Sequence, residues 1–249
     1  MKLPPRFSEL INRLGSQDLS YLSGSIAEGT GHAHSDVDLY VIAGLTDESL
    51  EADGLNTSTT YHEAPVPILI EHFEGQRWDL EYWSKAAADA VITKLESDFT
   101  SGRKSISHGD AEFLCRVVNG QPLTNPWGHE QLRERVLRAG LRQVLMRRFA
   151  YSAEVRLEDA AGLFKSGSTR EAAIQIRDAF GFVVDFELAR NHDFSLSAKR
   201  RLLRLERTES AVFTAEDYWQ AECIQADEDL GGWCRKTTLR LRRVLANVE

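Results

Sequence analysis

Apolar residues change their rhythm once along the chain, near Ser84, and the change separates two kinds of structure. Before it, Phe7, Leu10, Ile11 and Leu14 recur at three- and four-residue spacing, which predicts a first helix closed by Gly15. Leu19, Tyr21 and Leu22 read as a strand that runs into Gly24-Ser25. Val37-Asp38-Leu39-Tyr40-Val41-Ile42 is a short strand rich in β-branched residues, and it stops at Gly44. From Pro65 to Trp83 the pattern is a hairpin: Ile68-Leu69-Ile70 enter, Glu74-Gly75 turn, and Arg77 to Trp83 return.

After Ser84 the period is helical, with helices predicted over roughly 84–98, 107–118, 128–165, 169–191, 197–208 and 214–246. Ser101-Gly102-Arg103-Lys104 and Asn119-Gly120-Gln121-Pro122 punctuate the change. Leu132, Val136, Leu141, Val144 and Leu145 form one apolar stripe; Ala172, Ile176, Phe180, Val183 and Val184 form another. The expected fold class is α+β, a small mixed β-sheet domain over 1–100 followed by an α-helical bundle over 101–249.

At 249 residues with 42% hydrophobic and 27% charged content, the chain is an ordinary globular one with room for a substantial core. Its charge is more informative. Residues 1–100 carry 6 Lys/Arg and 17 Asp/Glu, a net of −11; the remainder carries 24 and 21, a net of +3. The acidic front half suits a cation, whether a metal or a basic substrate, and gives no strong nucleic-acid signal. Cys115, Cys223 and Cys234 lie far apart with no CxxC spacing, which predicts reduced thiols and no zinc site. Residues 1–14 show no secretory pattern, and no apolar run approaches the ~20 residues that span a bilayer. A cytoplasmic protein with no membrane partner is the expectation.

The chemistry concentrates between Gly24 and Leu39. Gly24-Ser25 ends a strand and opens a turn whose backbone N–H groups and small hydroxyl can hold a phosphate oxygen. Asp36 and Asp38 lie at i and i+2, so both carboxylates leave one face, while Val37 and Leu39 face the core. Two adjacent carboxylates repel unless a cation lies between them, and Mg²⁺ is held by one or two carboxylates together with substrate phosphates. The returning strand offers a third carboxylate, Asp79 first and Glu81 second, on the face opposite Trp78, Leu80 and Tyr82. His32 and His34 read as solvated loop residues, and the arginines from Arg133 to Arg148 as a wet helical surface. Asp185 and Glu187 read either as a general base whose pKa burial raises or as ordinary helix-surface charges.

Gly24-Ser25, the loop with Gly29, Ser35-Asp36-Val37-Asp38-Leu39 and the later strand carboxylate resemble the DNA polymerase β-like nucleotidyltransferase superfamily over residues 20–83. The helical half, best seen from Arg170 to Arg207, is similar in layout to the bacterial aminoglycoside nucleotidyltransferases. The resemblance implies catalytic roles for Asp36, Asp38, Asp79 and Glu81, with Asp36, Asp38 and Asp79 holding Mg²⁺, two ions in all. It places Gly24, Ser25 and Ser35 at the nucleotide and Lys199 at the leaving pyrophosphate, although Lys199-Arg200 stands where the family often has Lys-Trp.

Those roles imply transfer of a nucleoside monophosphate, AMP from ATP, to a hydroxyl of a small acceptor of the aminoglycoside kind. The rival readings are the same chemistry on a protein or tRNA partner, and a nucleotide-binding regulator without catalysis. The family also raises the expectation of a homodimer.

Overall fold

The structure, a computed structural model, describes residues 2–44, 56–57, 66–102, 106–208, 212–224 and 229–246, with 56–57 described by their backbone alone. Pro65 and Arg103-Lys104, which the sequence reading used as boundaries, lie outside the described residues. The chain divides into two compact units, Met1–Leu141 and Arg142–Glu249. The dividing point therefore falls some forty residues beyond the position near 100 suggested by the change of period.

The first unit is built on a mixed sheet of six strands: β1 (Leu19–Ser23), β2 (Val37–Ala43), β3 (Asn56–Thr57), β4 (Pro67–Phe73), β5 (Gln76–Ser84) and β6 (Gln121–Thr124). Their spatial order is β3-β4-β5-β2-β1-β6. β1 runs antiparallel to β2 and to β6, β4 antiparallel to β5, and β5 parallel to β2. The β4–β5 turn is the predicted Glu74-Gly75, both at positive φ (50° and 79°). That is the backbone a tight two-residue hairpin demands.

Alternation along β2 and β5 sorts the side chains to two faces. Val37, Leu39, Val41, Trp78, Leu80 and Tyr82 are buried in one core, together with Phe7 and Leu10 of helix α1 (Pro5–Asn12). Each such burial stabilises the fold by about 1.5–3 kcal/mol. The opposite face carries Asp38, Tyr40, Asp79, Glu81 and Trp83. There Tyr21 stacks on Tyr40 with ring centroids 5.3 Å apart, and Trp83 stacks on Phe113 at 3.8 Å. Phe113 belongs to α4 (His108–Asn119), which follows the four-residue α2 (Gly24–Ala27) and α3 (Lys85–Ser101). Ser84 and Ser107 cap α3 and α4 by accepting hydrogen bonds from the amides of Ala87 and Asp110.

The single long helix expected over 128–165 is two, α5 (Pro126–Arg138) and α6 (Leu141–Lys165). Gly140 between them has φ +91°, and a Cβ there would overlap the Phe99 ring, so the chain turns at a residue only glycine fits. The second unit continues with α7 (Thr169–Arg190), a 3-10 turn at Ala198–Arg200, α8 (Arg201–Arg207), α9 (Ala215–Glu222) and α10 (Leu230–Ala246). α7 packs against α8, α9 and α10. The fold class is α+β as expected, a mixed sheet followed by helices.

Candidate active site

The parallel pairing of β2 with β5 sets Asp38 directly beside Asp79, and Tyr40 beside Glu81. Asp36 immediately precedes β2, two residues before Asp38, and shares its face. On the other flank, antiparallel pairing places Ser23 opposite Asp38. The next residue, Gly24, has φ +75°, and a Cβ on it would overlap the Asp38 carboxylate and lie 3.1 Å from Arg116 Nη1. The Gly24-Ser25 turn and the carboxylate pair are thus pressed together, which explains why this position requires glycine.

The loop back to β2 is held by short-range hydrogen bonds. The amide of Thr30 donates to the Ser25 carbonyl at 2.8 Å, and the amide of His32 donates to Ser35 Oγ at 2.9 Å. Gln76 Nε2 donates to the Ser35 carbonyl from the first residue of β5. Ser35 is buried, so its hydroxyl braces the loop entering β2. His32 and His34 are exposed.

Burial pushes the Asp38 carboxyl up from 3.8 to about 6; Arg116 opposes the rise, and the neighbouring charges of Asp79, Glu81 and Asp36 add to it. The Asp38 carboxylate accepts no hydrogen bond among the described residues. Glu81 differs: its Oε1 accepts from Tyr40 Oη at 3.3 Å and its Oε2 from Trp83 Nε1 at 3.2 Å. Both oxygens are therefore engaged with the sheet's own aromatics. Asp79 is the register partner of Asp38, and Glu81 lies two residues further along β5 on the same face.

Two arginines that the sequence reading did not single out complete the group. Arg116, on α4, is mostly buried. Its Nη2 lies 3.2 Å from Glu112 and its Nη1 3.6 Å from Glu28, and its carbonyl accepts from Ser23 Oγ at 3.1 Å. Burial disfavours its charge, but Tyr40, Asp38, Glu112 and Glu28 outweigh that and raise its pKa. Arg77 lies two residues before Asp79 on β5, and its Nε and Nη2 donate to the two Asp79 oxygens at 2.8 Å each. Its Nη1 is 3.9 Å from Asp36 Oδ2.

The donor set suits a hard divalent cation: carboxylate oxygens only, one of them desolvated and crowded by like charge. In this conformation the carboxylates are not gathered into a metal-holding group. Among the described residues no three His, Cys, Asp or Glu side chains form one, and the guanidinium of Arg77 takes the Asp79 oxygens.

The remaining predicted residues lie in the second unit. Lys199 is exposed on the 3-10 turn. Asp185 and Glu187 are buried on α7, which removes the surface-charge alternative. Asp185 accepts a bidentate hydrogen bond from Arg201, at 3.0 and 2.7 Å, with Arg204 at 3.8 Å, so it acts as an internal counter-charge. Glu187 pairs with Arg190 at 3.4 Å, and burial raises its pKa.

No family model matches the chain, and no curated protein matches it. Among solved structures it is similar to a nucleotidyltransferase-like protein from Exiguobacterium sibiricum. That likeness has 13% identity and a TM-score of 0.50, and covers 96% of this chain and 72% of that one. It is also similar to spectinomycin adenyltransferase AAD(9) from Enterococcus faecialis, crystallised with ATP and spectinomycin. There the identity is 11% and the TM-score 0.38, over 95% of this chain and 98% of that one. The first likeness gives the chain a nucleotidyltransferase-like fold. No described helix is long and apolar enough to cross a membrane.

Proposed function

We propose that the chain is a magnesium-dependent nucleotidyltransferase that moves AMP from ATP onto a hydroxyl of a small, cationic acceptor such as an aminoglycoside. The observation that carries this is the pairing of Asp38 with Asp79 on parallel neighbouring strands, with Asp36 on the same face and the Gly24-Ser25 turn against Asp38. The nucleotidyltransferase-like fold supports the reaction class. The cationic acceptor is supported by the net −11 of residues 1–100.

Asp36, Asp38 and Asp79 would hold the metal, which when bound supplies charge neutralisation at the triphosphate and a more acidic acceptor hydroxyl. The chain's own residues have the rest of the work. Gly24 and Ser25 lie against Asp38, where the triphosphate would be cradled, and Arg116 offsets negative charge behind them. In-line attack forms the acceptor-oxygen bond to the α-phosphorus and breaks the bond to the pyrophosphate. The hydroxyl proton would pass to a carboxylate of this face, Asp79 once Arg77 has released its oxygens, or Glu81.

A second reading, a nucleotide-binding regulator without turnover, draws on one observation: Arg77 already neutralises Asp79. ATP labelled at its α-phosphate, incubated with Mg²⁺ and a panel of amino sugars, separates the readings. Label in a small molecule is the expected result. Label in a macromolecular band from lysate would move the acceptor to a protein or tRNA. Tight ATP binding without pyrophosphate release from any acceptor would select the regulator.

A further inference from the structure

Arg77 is an odd neighbour for a metal site. It leaves β5 on the same face as Asp79, and its fork engages both oxygens that a divalent ion would need. Its third nitrogen points toward Asp36, 3.9 Å away. One guanidinium therefore spans two of the three carboxylates assigned to the metal. Its side chain is 42% exposed, against 22% for Asp79, so it rests on the solvent side of the group. Arg116, the other cation, is mostly buried and engaged by Glu112 and Glu28, so it cannot leave as cheaply.

We propose that Arg77 is a resident counter-cation of the carboxylate group, displaced when a divalent ion and a triphosphate bind together. The idea rests on the nucleotidyltransferase reading and adds a regulation of that same site. In the free protein, an entering ion must break two charge-assisted hydrogen bonds and overcome the repulsion of a fixed positive charge within a few ångströms. A triphosphate changes both terms. It brings oxygens that complete the ion's coordination, and it offers the released guanidinium a new anionic partner. Ion and nucleotide thus bind cooperatively, and each binds weakly alone. The expected consequence is a site that stays closed to free divalent cations until nucleotide arrives.

Manganese titrations followed by water-proton relaxation, with and without a non-hydrolysable ATP analogue, test this on the full chain. Arg77→Gln should bind Mn²⁺ alone about tenfold or more tightly than wild type, since a unit charge is removed at close range. The analogue should then enhance Mn²⁺ binding less in Arg77→Gln than in wild type, by at least that factor. Adding Asp79→Asn to Arg77→Gln should cancel the gain. Arg77→Lys keeps the charge but cannot form the fork, so a smaller gain is expected, and it serves if Arg77→Gln folds poorly. Equal Mn²⁺ affinity in wild type and both Arg77 variants would overturn the counter-cation idea and leave the transfer reading standing. Absence of Mn²⁺ binding in every protein, with and without the analogue, would overturn both.

Discussion

Asp38→Asn should make the metal-free protein more stable while removing its activity. Asp38 is partly buried beside Asp36, Asp79 and Glu81, and its carboxyl is moved from an ordinary 3.8 to about 6. A tenfold change in proton affinity corresponds to about 1.4 kcal/mol, so the ionised carboxylate costs the folded state up to about 3 kcal/mol. Partial solvent access reduces the observable value to about 1–2 kcal/mol. The folded pKa lies above the unfolded one, so the cost is absent below about pH 4. It grows as pH rises through 6 and is complete above that. Asparagine keeps the shape and removes the charge. In EDTA at pH 8 the variant should melt about 3–6 °C above wild type, and the gap should shrink as the buffer approaches pH 4. Labelled-ATP transfer by the same variant should fall to background. Scanning calorimetry at the two pH values, beside the transfer assay, checks all of this. A variant no more stable than wild type at pH 8, or equally stabilised at both pH values, would refute the argument that burial and neighbouring charge make the ionised Asp38 costly. Full turnover would refute the site.

Two further outcomes follow from the geometry. Gly24→Ala and Gly29→Ala both force an alanine into left-handed backbone, at φ +75° and +67°. Only at Gly24 does the new Cβ meet anything, since nothing lies within 4 Å at Gly29. Gly29→Ala should cost roughly 1–2 kcal/mol and keep nucleotide binding; Gly24→Ala should cost more and lose binding of the ATP analogue, and equal losses in urea titrations would show that Asp38 does not press on the turn. In the second unit, Asp185→Ala strands the Arg201 guanidinium, which is 13% exposed. A loss of about 3–5 kcal/mol is expected by urea denaturation, and a loss under 1 kcal/mol would reopen a catalytic role for Asp185.

The elements bearing the carboxylates were legible because their side chains alternate between an apolar core and a polar face. Val37, Leu39 and Val41 against Asp36, Asp38 and Tyr40 need no partner to be read. The Glu74-Gly75 turn was equally local. What pairs with what was not. The alignment of Asp38 with Asp79 spans 41 positions of chain, and nothing in either segment specifies the neighbour. β6 was read as a break because Gln121-Pro122 follows Asn119-Gly120, yet an edge strand tolerates a proline, and Pro122 pairs with Tyr21 there. The division of 128–165 was not legible because the apolar stripe from Leu132 to Leu145 continues across Gly140. Arg77 could have been found from its i, i+2 relation to Asp79. Arg116 left a fainter trace, a charge amid Phe113, Leu114, Val117 and Val118 on α4.

The two arginines, taken together, explain how the fold tolerates so much negative charge without losing its use. Asp36, Asp38, Asp79, Glu81, Glu28 and Glu112 supply six carboxylates around them, against two guanidiniums, a formal surplus of four. A fully balanced group would stabilise the free protein but leave nothing to attract an ion; a wholly unbalanced one would push apart the strands that carry it. Arg116, half-buried between α4 and the Gly24 turn, supplies compensation that persists, because removing it would leave the half-buried Glu28, Glu112 and Asp38 without that cation. Arg77 supplies compensation from the solvent side, where a guanidinium exchanges partners at little cost. The raised pKa of Asp38 comes first from its burial and then from the carboxylates around it, which Arg116 only partly offsets. Asp38 is where the remaining attraction for a cation is concentrated, and it lies against a turn that only glycine lets approach so closely.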